Sequence, residues 1–198
     1  MINFQNVSFS YVNNYIFENI NYSFSNGRIY RIIGGNGVGK TTLLKLIYGN
    51  LIVSGGKIFR DEKLSEIDYL SNSLRLDENL SMDDHIRFIQ SAYEIDDNEL
   101  LNKMIILKKL KIDLFLNYYV SDLSLGTQKK LMFFLSYLRG FKILLLDELF
   151  SGIDDNGIKV ISNILTKSAI NGGIIIFVTH QDMESKYLKY TSIDLENE

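Results

Sequence analysis

The stretch Gly34-Gly35-Asn36-Gly37-Val38-Gly39-Lys40-Thr41-Thr42 constrains this chain more than any other. It fits the phosphate-loop pattern G-x-x-x-x-G-K-[ST], opened by Gly34 and closed by Gly39-Lys40-Thr41. Its flanks suit it: Arg28 to Ile33 (RIYRII) reads as a buried strand and Thr42 to Tyr48 (TLLKLIY) as a helix. A strand that turns through glycines into a helix presents successive backbone N–H groups to an anion, at the positive end of the helix dipole. Lys40 would then reach the β- and γ-phosphates, and the Thr41 hydroxyl would hold Mg²⁺. The competing reading is a glycine-rich turn with no ligand. The complete pattern between strand and helix favours a nucleoside triphosphate.

Composition narrows the class. A chain of 198 residues is one domain, or one domain with a modest insertion, and 46% apolar residues can bury a core. With 21 basic and 24 acidic side chains and a net charge of −3, no strong field draws it to nucleic acid. The absence of cysteine excludes disulfides, thiolate metal sites and cysteine catalysis. Met1 to Tyr11 lacks the pattern of a signal peptide, and the apolar runs Ile143 to Leu146 and Ile174 to Val178 are too short to span a bilayer. The expectation is a soluble intracellular protein that reaches a membrane only through a partner.

Along the chain, Ile2 to Phe9 alternates as a half-buried strand, and Tyr15 to Ser25 holds two more strand-like pieces before the Asn26-Gly27 turn. Lys57 to Phe59 and Ile67 to Leu70 are further short strands. From Leu80 to Tyr119 the periodicity becomes helical. Ser81 with Asp84 opens one helix as a capping box, and Asn98 to Leu110 forms another. His85, in this block, reads as an ordinary solvated residue. A helix from Ser124 to Arg139, a strand from Lys142 to Asp147, a helix capped by Asp154 or Asp155, and a strand from Ile174 to Thr179 complete the pattern. Alternating strands and helices predict a mostly parallel sheet covered on both faces, with an antiparallel β layer at the amino terminus. The expected division is a core of 1–72 and 121–198 around an inserted helical subdomain of about 73–120.

Ile143-Leu144-Leu145-Leu146-Asp147-Glu148 sets two acids after a buried strand, at the sheet edge where such folds bind ligands. Asp147 there can support Mg²⁺, and Glu148 can act as general base on the attacking water. Surface acids capping a strand are the alternative, which the upstream phosphate loop disfavours. Leu123-Ser124-Leu125-Gly126-Thr127-Gln128 places a serine and a glycine at a helix start, a weak anion-binding signal when taken alone.

Together these segments resemble the ATP-binding cassette (ABC) ATPases, a class of phosphate-loop NTPase. Ser124 to Thr127 is similar to their signature sequence. Asp147-Glu148 resembles their second nucleotide motif, Ser151-Gly152-Ile153-Asp154 their aspartate loop, and Phe177-Val178-Thr179-His180 their switch-histidine strand. The resemblance covers nearly the whole chain in the right order. It implies that Tyr11 stacks on adenine, that Gly34, Asn36, Gly37, Gly39, Lys40, Thr41 and Thr42 hold the phosphates and Mg²⁺, and that Asp147 supports the metal. It further implies that Glu148 is the base, that His180 touches the γ-phosphate, that Ser124 and Gly126 contact ATP held by an opposite subunit, and that Asp154 bridges the two halves. Asn72 stands where the family carries a glutamine near the metal and the water, one methylene shorter. Leu125 replaces a signature glycine, Thr127 the signature glutamine, and Leu149 the proline after the catalytic acid.

The implied function is an ATP-hydrolysing subunit, using ATP and Mg²⁺, that pairs with a second copy of itself or a related cassette. It would power a separate membrane permease, with export favoured over uptake, from the inner face of the cell membrane. A soluble ABC ATPase without a permease is one rival, and a cassette that binds ATP with little turnover is another. Retention of Lys40, Asp147, Glu148 and His180 disfavours the second.

Overall fold

A computed structural model of the chain describes residues 1–12, 14–61, 63–71, 76–179 and 186–196. Its centre is a five-stranded parallel sheet in the order β6-β7-β8-β4-β9. These strands are β4 (Arg28–Ile33), β6 (Ile67–Ser71), β7 (Ile143–Asp147), β8 (Ile174–Val178) and β9 (Thr191–Asp194). Against it lies an antiparallel layer of β1 (Ile2–Tyr11), β2 (Asn14–Ile20), β3 (Ser23–Phe24) and β5 (Gly55–Arg60). The helices are α1 (Lys40–Tyr48), α2 (Met82–Ala92), α3 (Asp97–Leu110), α4 (Leu125–Arg139) and α5 (Asp155–Ile170).

The two-residue period of a strand sorts the central side chains between two cores. Leu144, Leu146, Ile175 and Phe177 face one buried cluster with α4 and α5. Ile143, Leu145, Ile174, Ile176 and Val178 face the other, which α1 and the antiparallel layer fill with Leu43, Leu46, Phe4 and Phe24. All five residues of β7 and of β8 are buried, as continuous apolar strands of a doubly covered parallel sheet should be. This is the α/β architecture expected from the sequence.

Helix ends follow local chemistry. Ser81 Oγ accepts from the Asp84 N–H at 3.1 Å while the Asp84 carboxylate accepts from the Ser81 N–H at 2.9 Å, the reciprocal box read from the sequence. The helical stretch is anchored inward: Met82, Ile86, Leu107, Leu110 and Val120 join the cluster shared by α4 and α5. Its outer face leaves Phe88, Leu101, Ile105 and Leu114 exposed.

Two expectations need correction. His85 is buried rather than solvated: its Nδ1 lies 2.8 Å from the Ser81 carbonyl oxygen, and its Nε2 accepts from the Asp77 N–H at 3.2 Å. An accepting Nε2 assigns the proton to Nδ1, so the ring is a neutral staple between the preceding loop and the first turn of α2. The strand predicted from Lys142 begins at Ile143. The sequence reading also left β9 unassigned; it pairs in parallel with β4, with Ile33 opposite Asp194.

Candidate functional site

The phosphate loop connects β4 to α1, as its pattern demands. Gly39 precedes α1 with φ 110°, and a Cβ there would fall 2.6 Å from Ile16 Cγ2 and 2.7 Å from Phe17 Cζ. Conformation and space both require glycine at this position. Lys40 is nearly buried, and its ammonium donates to the carbonyl oxygens of Gly34 and Gly35 at 2.7 Å each, so the lysine braces the loop that it follows. One turn of chain thus gathers a cation and several backbone N–H groups around one concavity.

Asp147 ends β7 beside it. Its carboxylate is buried, and one oxygen accepts from Thr41 Oγ1 at 2.9 Å and from the Tyr69 hydroxyl at 3.0 Å. Burial, followed by the Asp147 charge, pushes the Tyr69 pKa well above the usual tyrosine value, so the phenol stays a donor. Glu148 follows in the left-handed region at φ 58°, and its N–H donates to the Val178 carbonyl oxygen at 3.0 Å. A glutamate held there is a local strain maintained by its surroundings, and such positions cluster at working sites. A cavity of about 230 Å³ is lined by Asn36, Gly37, Gly39, Lys40, Thr41, Thr42, Asp147, Glu148 and Val178.

The structure therefore brings the phosphate-loop residues and both acids to one cavity. Gly34 lies at the base of the loop, with φ 139°. Tyr11, Ser124, Gly126 and Asp154 do not line that cavity. Tyr11 ends β1, partly exposed, edge to face with Phe9 at 4.9 Å between ring centres. Ser124 caps α4 and is exposed; its Oγ accepts from the Thr127 N–H at 3.2 Å and shares a 2.9 Å bond with Thr127 Oγ1. Gly126 is fixed by a close approach, since a Cβ there would lie 2.4 Å from the Gly152 carbonyl oxygen. Asp154 caps α5 through the Gly157 N–H at 2.8 Å and pairs with Lys130 at 2.9 Å. Burial alone would raise its pKa; the Lys130 and Gly157 hydrogen bonds bring it below the usual carboxylate range. Asn72 and His180 lie outside the described residues.

Three contributors escaped the sequence reading. Tyr69 carried no signal among twelve tyrosines. Lys129, given no role by the sequence, is buried and donates to the carbonyl oxygens of Glu148 at 2.9 Å and Ser151 at 2.8 Å. Burial lowers its pKa, and the nearby Glu148 charge opposes that shift. It ties α4 to the turn that carries the second acid. Leu149, where proline was expected, is buried in the core beside this turn. The third contributor, Glu196, touches the phosphate loop itself: one carboxylate oxygen accepts from the Gly35 N–H at 2.6 Å.

A family model described as "ABC transporter" matches residues 17–151, which spans the phosphate loop, the signature segment and both acids. The chain belongs to the ABC transporter family. As an ABC ATPase it binds ATP and couples its hydrolysis to transport. A cytochrome c biogenesis ATP-binding export protein CcmA from Reclinomonas americana is 38% identical over 184 residues, covering 88% of this chain and 82% of that protein. The protein of the same name from Pasteurella multocida is 28% identical over 195 residues, covering 93% and 89% of the two chains. Among solved structures, an ATP-binding subunit of an ABC transporter superposes with a TM-score of 0.84 at 21% identity, covering 95% of this ABC chain and 83% of its own, a likeness of fold. The cbiO1 structure from Clostridium perfringens, part of an ABC transporter complex cbiONQ, gives a TM-score of 0.75 at 25% identity, covering 94% and 81%.

Proposed function

We propose that this ABC chain is the ATPase subunit of an exporter, acting as a pair of cassettes on a separate membrane permease. The observation that carries the chemistry is the convergence of Thr41, Asp147 and Glu148 on the cavity that Lys40 also lines. In this reading the loop N–H groups and Lys40 hold the triphosphate, and Tyr11 stacks on the adenine. Thr41 and Asp147 offer two hard oxygen donors, already within hydrogen-bond distance of each other, which suits Mg²⁺ carried in on ATP phosphates. The ion supplies charge neutralisation on the phosphates. Glu148 takes the proton of the attacking water, a contribution of about 10²–10⁴-fold. Asn72 and His180 complete the site by the family resemblance; Asn72 follows Ser71, which is paired with Asp147 in the sheet, and His180 follows Thr179 after β8.

The second copy enters because Ser124, Gly126 and Asp154 stand apart from the cavity of their own chain. We assign them to the ATP of a facing cassette, so that binding energy becomes closure of the pair. The helical stretch of about 73–120 acts as a subdomain on the core of 1–72 and 121–198. A surface hollow of about 240 Å³ between β6 and the helical stretch, with Leu70, Leu76, Ile89, Tyr93 and Met132 among its walls, would receive a short permease helix. Among the described residues no helix is long and apolar enough to cross a membrane, which fits attachment to the inner membrane face through that partner. Relatives named as export proteins of cytochrome c biogenesis favour export and that pathway as the setting. No nucleic-acid partner is proposed, in keeping with the net charge of −3.

The test is steady-state hydrolysis and equilibrium binding with Glu148→Gln. Turnover should fall by about 10²–10⁴-fold with ATP affinity retained. Undiminished hydrolysis would assign the base elsewhere.

A further inference from the structure

The β9 strand brings an acidic side chain to the phosphate loop. Its last residue, Asp194, pairs with Ile33 at the end of β4, and the Leu195 N–H donates to the Ile33 carbonyl oxygen at 3.1 Å. The Glu196 N–H then donates to Asp194 Oδ1 at 3.0 Å, which turns the chain over the start of the loop. From there Glu196 Oε1 accepts from the Gly35 N–H at 2.6 Å. The same glycine gives its carbonyl oxygen to the Lys40 ammonium at 2.7 Å. Gly35 is thus held at both of its backbone polar groups, by Lys40 at the carbonyl and by Glu196 at the N–H. Gly35 is not among the residues lining the cavity, so the carboxylate meets the loop at a residue other than those that do.

We propose that Glu196 is a positioning residue for nucleotide binding, fixing the curvature of the phosphate loop through the Gly35 N–H. The inference rests on the assignment of this loop to ATP. A glycine-rich loop has the most backbone freedom to lose on binding a ligand. Anchoring it beforehand moves that cost out of the binding step, which is how preorganisation tightens association. A carboxylate near a triphosphate is electrostatically unfavourable, but Glu196 is exposed, where water and salt screen its charge. The site also makes room for it: a Cβ on Gly35 would lie 2.5 Å from Glu196 Oε1. Gly35 is not in the left-handed region, so alanine there suits the backbone and displaces only the flexible carboxylate.

The experiment measures the ATP–Mg²⁺ dissociation constant and kcat for the whole chain and four variants. Glu196→Ala should weaken ATP binding by about three- to tenfold, the range of one net hydrogen bond, with kcat at saturation unchanged. Glu196→Gln, which keeps an oxygen at the same reach, should restore binding to within about twofold of the parent. Gly35→Ala should match Glu196→Ala, and the double variant should be no weaker than either single one. Wild-type affinity in Glu196→Ala, a fall in kcat with affinity unchanged, or full additivity of the two substitutions would each overturn the proposal. If the parent chain bound no ATP, the phosphate-loop assignment would fall with it; if parent and variants bound equally, only Glu196 would lose its role.

Discussion

The phosphate loop and the start of α4 are built differently. At the phosphate loop the functional groups converge: Thr41 and Tyr69 share one Asp147 oxygen, Glu148 lines the same cavity, and Lys40 braces the loop. At the start of α4 they do not. Ser124 is exposed and satisfied by its own helix, Gly126 abuts the Gly152 carbonyl, and Asp154 is used as a cap and an ion-pair partner. The first region lines one cavity with residues of a single chain. The second is an exposed helix start whose Ser124 makes its described polar contacts within its own first turn and whose Gly126 meets the neighbouring 152–157 segment. That difference is what an enzyme shared between two copies should show, each chain lending one half of a site to the other.

The comparison can be broken by variants that act on one end only. The largest effect is expected from Lys40→Ala, which removes a charged donor from the loop and leaves its two carbonyl partners unpaired. ATP affinity of the single chain should fall by about ten- to a hundredfold, read by titration calorimetry. An unchanged affinity would refute the convergent end.

Ser124→Asp addresses the other end. Aspartate is as good a helix cap as serine, so thermal stability should hold, and ATP binding by an isolated chain should not move. A carboxylate facing a γ-phosphate would nonetheless block closure, and turnover should drop by about tenfold or more. Normal turnover would mean that Ser124 is a cap and nothing else. The smallest effect sharpens the first region. Tyr69→Phe leaves Asp147 with one of its two hydroxyl donors, a loss of about 0.5–1.5 kcal/mol. Hydrolysis at limiting Mg²⁺ should fall a few-fold and recover at saturating Mg²⁺. An identical Mg²⁺ dependence would remove Tyr69 from the site.

The sequence made the convergent region legible and left its supports hidden, for a physical reason. Glycine spacing, the apolar strand before Asp147 and the Ser81–Asp84 box are local signals, written in residues that are neighbours in the chain. Lys129, Tyr69 and Glu196 act through partners fixed by the tertiary fold. Lys129 reaches carbonyls of residues 148 and 151, and Glu196 crosses 161 positions to Gly35. Strand β9 is four residues long with a mixed pattern, and it exists because β4 offers it an edge. Propensity cannot reveal an element whose stability comes from the strand beside it. Ser124 follows the same rule: its helix cap could be read locally, whereas the contact proposed for it would be made with a second chain.

The measurement that bears most directly on the shared site is the mass of Glu148→Gln in solution with and without ATP–Mg²⁺, by analytical ultracentrifugation. The chain has a mass of 22.8 kDa. The account predicts that species without nucleotide and about twice that mass at saturating ATP, with the doubling abolished when Ser124→Asp is added. A single-chain mass at saturating ATP, or doubling that ignores Ser124→Asp, would contradict it.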